Sequence, residues 1–464
     1  MGYGPAAPFN RTVIVGVLLS AAFLTVLNQT LLLTAIPPIM DELQIDANQA
    51  QWLTTAFMLT NGVLIPVTAF LIEKFSSRIL LIAALIMFAA GTLLGALAPS
   101  FSFLLAARVI QACGAGIMMP LMQTILLTIY PTERRGAAMG MSGLVIAFAP
   151  AIGPTLSGWI VDHFSWRYLF YLLIPLSAVV LLAAVFLMKN VTAQREAKVH
   201  VPSIILSSLG WGGLLYGFSM VGSDGWTDPA VMGTLFIGSL SLVMFIRLQL
   251  RMERPLLEFQ VFRSRMFTLT TVLSVIVFAL MIGSQTFLPL YTQHVRGLSA
   301  LESGLMLLPG AIVNGIMSPI TGRIFDRIGG RGLAIIGFSL IVLSMLLFLN
   351  IGMSTSILYI ALVFALMMVG ISMNMMPLMT AGMNSLPPHL IPHGTAMSNT
   401  LRMVGGSIGT ALLVSVMSSV SQSHGTSDPS SALLDGILAG FAVSGVLAVL
   451  GLLITFSMAR KKEQ

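Results

Sequence analysis

The chain has 464 residues, of which 56% are hydrophobic and only 8% charged, with a mean hydropathy of +0.95 and a formal charge of +7. That composition excludes an ordinary water-soluble globule and points to an integral membrane protein. The single cysteine, Cys113, excludes an intrachain disulfide and, lying in an apolar segment, reads as a small packing residue.

Apolar runs of about 20 residues, each long enough to cross ~30 Å of hydrocarbon as a helix, fall at 13–37, 50–72, 79–97, 103–128, 136–161, 168–188, 203–221, 230–248, 266–292, 304–325, 332–350, 356–380, 394–418 and 435–458. Backbone groups cannot stay unpaired in lipid, so fourteen continuous runs predict fourteen membrane helices and exclude a barrel. The run 13–37 is longer than a signal-peptide core and carries Asn28, Gln29 and Thr30, so it reads as a retained first helix. The run 50–72 holds Asn61 near mid-depth and leads into Glu73, Lys74 and Arg78.

The run 103–128 contains Arg108. A charge at membrane depth costs roughly 2.5 to 3.5 kcal/mol, so it survives where it faces a packed interior or a watery cavity. Asn28 lies about 12 Å from the outer end of its helix and Arg108 about 8 Å from the outer start of its own, which puts both in one layer. Asn28 or Gln29 is therefore expected to accept hydrogen bonds from Arg108 and satisfy it without a counter-charge. Arg108 then either braces two helices or takes part in coupling.

Further along, Ala149-Pro150-Ala151-Ile152-Gly153-Pro154-Thr155-Leu156-Ser157-Gly158 allows a kink and close helix approach. The polar stretch 189–202 and the basic stretch 249–265, the latter expected to be partly helical on the membrane surface, read as linkers. Gln285 and Asn314 lie near mid-depth in their runs. Pro319-Ile320-Thr321-Gly322-Arg323-Ile324-Phe325-Asp326-Arg327-Ile328-Gly329-Gly330-Arg331 combines a helix end, an acid, basic residues and a glycine pair, which suits a lock between two helices around a tight turn.

Arg402, in the run 394–418, is the second membrane arginine, at a depth similar to Asn374 and almost one turn after Asn399. It reads as a substrate-facing cation or as a brace against backbone carbonyls. His389 and His393 have the spacing of a helical metal pair, but Pro387, Pro388 and Pro392 interrupt it and no acid lies beside them, so no metal site is expected. Gly405 and Gly409 read as helix packing, and the outer stretch 419–434 as the most mobile loop.

Charge bias sets an expected orientation. Reading both ends and alternate loops as cytoplasmic puts 19 basic residues inside and only Arg167 and Arg296 outside; with Arg108 and Arg402 these make up all 23. Basic loops against anionic lipid explain the net charge without any nucleic acid.

The chain also repeats itself. Met118-Met119-Pro120-Leu121-Met122 recurs as Met375-Met376-Pro377-Leu378-Met379, Pro66, Thr68, Glu73, Lys74 and Arg78 recur as Pro319, Thr321, Asp326, Arg327 and Arg331, and Gly136, Ala138 and Met139 recur as Gly394, Ala396 and Met397. The offsets of 257, 253 and 258 pair two six-helix halves, 1–190 and 263–464, with two helices inserted at 191–262. An even insertion leaves the halves parallel, as in a rocker-type transporter.

On these residues the chain resembles the major facilitator superfamily. The stretch 319–331 is similar to the family's signature loop, with Glu73, Lys74 and Arg78 as a degraded copy, and the resemblance implies a cytoplasmic gate latch at Glu73, Arg78, Asp326, Arg327 and Arg331. Leu105 to Gly114 resembles the motif whose membrane arginine is linked to proton coupling, and Pro150, Gly153, Pro154 and Gly158 fall in a stretch resembling the antiporter motif of exporters. Phe164-Ser165-Trp166-Arg167-Tyr168-Leu169-Phe170 is similar to the 14-helix drug:proton antiporters of the EmrB/QacA type, and the first 180 residues resemble lincomycin-resistance-type exporters. One departure stands out: the family's first helix usually carries Leu-Asp, whereas here Leu27 precedes Asn28, which cannot titrate.

The resemblance implies an all-α major facilitator fold in the bacterial cell membrane, with fourteen helices and both termini cytoplasmic. It implies proton-driven export of small amphipathic compounds, with no enzymatic role, no cofactor and a monomeric state. The helices that line the cavity in this family make Asn61, Gln285 and Asn314 substrate contacts beside Arg402 and Asn374. Met122 and Met379, among 31 methionines, suit a cavity that repacks around varied ligands, though methionine is also ordinary membrane filler. No acid lies at the centre of any run, so coupling is expected to rest on acids near the cavity mouths, Asp162 or Glu302 outside and Asp326 inside, or on proton-sensitive pairing of Arg108 with Asn28 or Gln29. A positive cavity with polar amides favours neutral, zwitterionic or anionic compounds over dications. An exporter of an endogenous lipid or anionic metabolite would share every motif, and a non-transporting membrane protein would leave the exporter motif idle.

Overall fold

The computed structural model describes residues 10–32, 35–192, 194, 200–423 and 429–458. Among them are α1 (Arg11–Leu31), a short α2 (Ile36–Leu43), α3 (Ala47–Lys74), α4 (Ser77–Ala96), α5 (Phe101–Ile129), α6 (Arg135–His163), α7 (Arg167–Leu187), α8 (Val201–Asp224), α9 (Pro229–Arg251), α10 (Arg265–Leu290), α11 (Ala300–Ile328), α12 (Gly330–Phe348), α13 (Ile357–Asn384), α14 (Ile391–Ser423) and α15 (Pro429–Thr455). All but α2 are long and apolar enough to span a membrane, giving the fourteen expected helices. The basic residues Arg195, Lys198, Arg460, Lys461 and Lys462, used above for orientation, lie outside the described residues.

Polar residues at the run boundaries set the helix starts. Asp46 accepts from the Gln49 amide at 2.7 Å to begin α3, and Ser264 accepts from Phe267 to begin α10. Ser299 and Glu302 form a reciprocal capping box at the start of α11.

Two boundaries differ from the sequence reading. The run 13–37 is not one helix: α1 ends at Leu31, and Pro37 and Pro38, which lack an N–H, stand in the first turn of α2. The expected mobile loop 419–434 is mostly helix, because α14 continues to Ser423 and α15 begins at Pro429, while 424–428 lie outside the described residues. The basic stretch 249–265 is partly helical as expected: it takes in the last residues of α9, a 3₁₀ turn at Phe259–Arg263 and the first residue of α10.

The duplication seen in the sequence recurs in the packing. In the first half α5 packs on α3 and α4, α7 on α4, and α1 on α6 and α7; in the second half α13 packs on α11 and α12, α15 on α12, and α10 on α14 and α15. Side chains repeat as well: the Thr68 hydroxyl donates to the Gly116 carbonyl at 3.3 Å, and its mate Thr321 donates to Ser372 at 3.0 Å. The helices α8 and α9 form a hairpin through close approach of Gly213 and Gly238, and α8 lies along α3 and α14 with Trp52 and Tyr216 stacked at 5.6 Å.

The halves meet along α6 with α11 and along α3 with α14. We term the side where α1 begins and α15 ends the near face. Glycines allow intimate contact there: Gly136 and Gly140 of α6 pack on Gly322 and Ser318 of α11, and a Cβ on Gly140 would sit 2.6 Å from the Ser318 carbonyl oxygen.

Candidate functional site

Three groups of polar residues interrupt the apolar packing, at the near face, within the first half, and on the seam between halves.

At the near face Asp326, near the C-terminal end of α11, accepts from the amides of Gly136 at 2.7 Å and Ala137 at 2.8 Å. These are first-turn donors of α6 that have no intrahelical partner, so a carboxylate from one half caps a helix of the other and meets the positive end of its dipole. Arg135 extends the join by donating to Asn384 of α13 at 2.9 Å. The repeat mate of this lock pairs Glu73 of α3 with His393 of α14, Oε1 to Nε2 at 3.3 Å. His393 is fully buried, and its Nδ1 accepts from the Glu258 amide at 3.3 Å, which leaves Nε2 as the protonated nitrogen facing Glu73. Sequence reasoning weighed His393 only as a metal ligand; its offset of 258 from Arg135 was the available signal that it stands at the join between the halves. Arg78, read as part of the same latch, donates to the Val185 carbonyl at the end of α7 at 2.6 Å and so ties two helices of one half.

Within the first half, α5 presents Arg108 and Gln111 three residues apart on one face. Arg108 Nη1 donates to Asn28 Oδ1 at 3.2 Å and to Gln111 Oε1 at 2.9 Å, Nε donates to the Leu53 carbonyl at 3.3 Å, and the Phe57 ring lies 4.3 Å from the guanidinium carbon. Gln111 donates to Asn28 Oδ1 and, at 2.8 Å, to the Thr92 hydroxyl. The expected amide acceptor is thus Asn28; Gln29 is half-buried on the same helix. Gln111 was missed in the sequence although its spacing from Arg108 was visible. Gly91 permits the approach of α4 to this node, since a Cβ there would lie 2.5 Å from the Gln111 amide nitrogen. The Gly-Pro stretch of α6 holds α1 in place: Gly153 packs on Thr30, and the Ser157 hydroxyl donates to the Leu31 carbonyl at 2.5 Å. Pro150 and Pro154 lie inside α6, while Gly158 has open space around it.

On the seam, Arg402 of α14 donates from Nη2 to Asn399 Oδ1 at 3.2 Å and stands 5.5 Å from the Phe278 ring. Asn399 in turn donates to Gln123 Oε1 of α5 at 2.6 Å, joining the two halves.

The remaining candidates are dispersed. Asn61 and Asn314 are half-buried, and Gln285 is exposed on α10. Asn374 is buried and turned toward α12, bonding the Gly370 carbonyl at 2.8 Å beneath Gly337. Met122 and Met379 are fully buried, whereas Met118 and Met376 of the same repeats accept hydroxyl hydrogen bonds from Thr25 and Ser142, the second across the halves. Asp162 is exposed at the end of α6, and the Glu302 carboxylate is engaged by the Ser299 amide and hydroxyl. Arg327 and Arg331 flank the turn from α11 to α12.

Two six-helix halves with repeated packing, meeting along a seam, are the arrangement of transporters built from parallel repeats. Residues 18–410 match the family described as the Major Facilitator Superfamily. The chain belongs to that superfamily. This facilitator is 59% identical over 457 residues, 98% of its length and 96% of the relative's, to the uncharacterised MFS-type transporter YcnB of Bacillus subtilis (strain 168). It is 41% identical over 455 residues to the lincomycin resistance protein LmrB of the same organism, covering 96% of this chain and 95% of that one. Among solved structures, human MFSD10 (TETRAN) superposes with a TM-score of 0.69 over 96% of this chain and 99% of its own; at 16% identity the likeness is one of fold. The facilitator is therefore a multi-pass protein of the bacterial cell membrane.

Proposed function

We propose that the facilitator is a proton-driven exporter of small amphipathic compounds, with lincosamide-like antibiotics as the first class to test. The observation that carries this reading is the pair of repeat-related locks, Asp326 on the start of α6 and Glu73 on His393, which join the halves at the near face of the seam. Asp326, Asn384, His393 and Asn399 all reach across on the near-face side. With the termini cytoplasmic, as the basic loops indicate, that face is the inner gate, and the conformation is closed inward and poised to release outward. Relatedness to LmrB and the Gly-Pro packing of α6 on α1 support export of such compounds.

The proposed coupling centre is Arg108 with Asn28 and Gln111. Its positive charge is held by amides, a carbonyl and a ring rather than by a carboxylate. Protons would then act through acids at the helix ends, with Asp326 and Glu73 at the inner gate and Asp162 and Glu302 at the outer mouth. Cells of a drug-sensitive bacterium expressing the protein should lose preloaded lincomycin faster than controls, and an uncoupler should abolish the difference. Equal retention across lincomycin and a panel of amphipathic drugs would refute the proposal.

A further inference from the structure

We infer that Arg402, Asn399 and Gln123 form a recognition point for the carboxylate of the transported molecule; the inference rests on the export reading and specifies its substrate class. Asn399 has both of its donors committed: its Nδ2 donates to Gln123 Oε1 at 2.6 Å and to the Thr395 carbonyl at 3.0 Å, while its Oδ1 accepts from Arg402. On either side of it stand donors with nothing to donate to. Arg402 Nε and Nη1 are buried without a partner, and so is Gln123 Nε2. The guanidinium belongs to a residue only 7% exposed, in a layer where an unmatched charge is costly.

What the point lacks is an acceptor, and the acceptor that best matches a guanidinium together with an amide is a planar carboxylate, which can take one bond from a free Arg402 nitrogen, a parallel one from the remaining Nη2 hydrogen, and another from Gln123. The Phe278 ring beside Arg402 supplies an apolar wall, so the fitting molecule is an amphipathic carboxylate. The fold itself does not require these residues. By the repeat offsets of 258 and 257, the mates of Arg402, Asn399 and Gln123 are Leu144, Met141 and Thr380. Because Gln123 belongs to the first half and Arg402 to the second, a carboxylate taking donors from both bridges the seam between the halves.

The probes are dansylglycine and its neutral amide, dansylglycinamide, which differ in the group under test. Fluorescence titration of the full-length protein in phosphatidylcholine nanodiscs should show the acid binding about tenfold more tightly than the amide, the effect of one hydrogen bond to a charged group. Arg402→Gln should erase that preference, and Gln123→Met, which keeps the volume and the charge, should weaken the acid about tenfold while sparing the amide. Equal binding of the two probes by the wild type, or a preference that survives in both variants, overturns the inference. Phosphatidylglycerol added to the discs should leave the titration unchanged; competition lost in Arg402→Gln would assign the point to a lipid headgroup and overturn it equally. Selective binding of the acid without its net transport would count against the export reading and leave the binding point standing.

Discussion

The lock between Asp326 and α6 gives the sharpest mechanical prediction. Its carboxylate takes two amide hydrogen bonds, at 2.7 and 2.8 Å, from the other half. Bonds to a charged group contribute about 1.5 to 3 kcal/mol each, and a charge at a helix N-terminus adds about 0.3 to 1 kcal/mol. Asp326→Asn keeps one carbonyl acceptor, turns an NH₂ group against the second amide and removes the charge. The closed near face should therefore lose about 2 kcal/mol relative to the open one, which shifts that equilibrium about 30-fold. With the single Cys113 replaced by Ser, cysteines at the exposed positions Arg134 and Arg323 can carry spin labels on opposite halves of the near face. Double electron–electron resonance should show one short distance for the wild-type lock and a substantial longer population in Asp326→Asn. Identical distributions in the two proteins would refute the claim that this cap holds the face closed.

Other outcomes follow from the same geometry. His393→Ala removes both the partner of Glu73 and the acceptor for the Glu258 amide, so it should move the same label pair toward the longer distance. Asn28→Leu takes an acceptor from the buried Arg108 and should cost about 1.5 to 3 kcal/mol, read as a lower melting temperature in detergent. Gly91→Leu forces a side chain against the Gln111 backbone and should cost about 1 to 3 kcal/mol, so it should reduce folded yield more than the same change at Gly158, which has open space.

Much of the fold was legible in the sequence because each membrane helix must carry its own run of apolar residues, and two halves built alike repeat their motifs at a near-constant offset. The misread boundaries have local causes. Pro37 and Pro38 follow an apolar stretch without a charged break, so hydropathy alone runs α1 into α2, and the serine-rich end of α14 looks like a loop although it continues as helix. The Arg108–Asn28 contact could be anticipated because depth along two helices is calculable from residue counts. Gln123 could not: it is marked by a bond to Asn399, 276 residues away, and no local pattern signals an amide whose partner lies in the other half. Asp326 was expected as a latch, but its amide partners on α6 belong to a helix terminus that carries no side-chain signature.

The central claim, export driven by protons, is tested most directly in proteoliposomes preloaded with acid buffer and pyranine, to which radiolabelled lincomycin is added in a neutral medium. The account predicts uptake of lincomycin and alkalinisation of the lumen on its addition, both in excess of protein-free liposomes, and neither when an uncoupler has dissipated the gradient beforehand. Lincomycin uptake that the imposed gradient leaves unchanged, with no movement of protons, would contradict it.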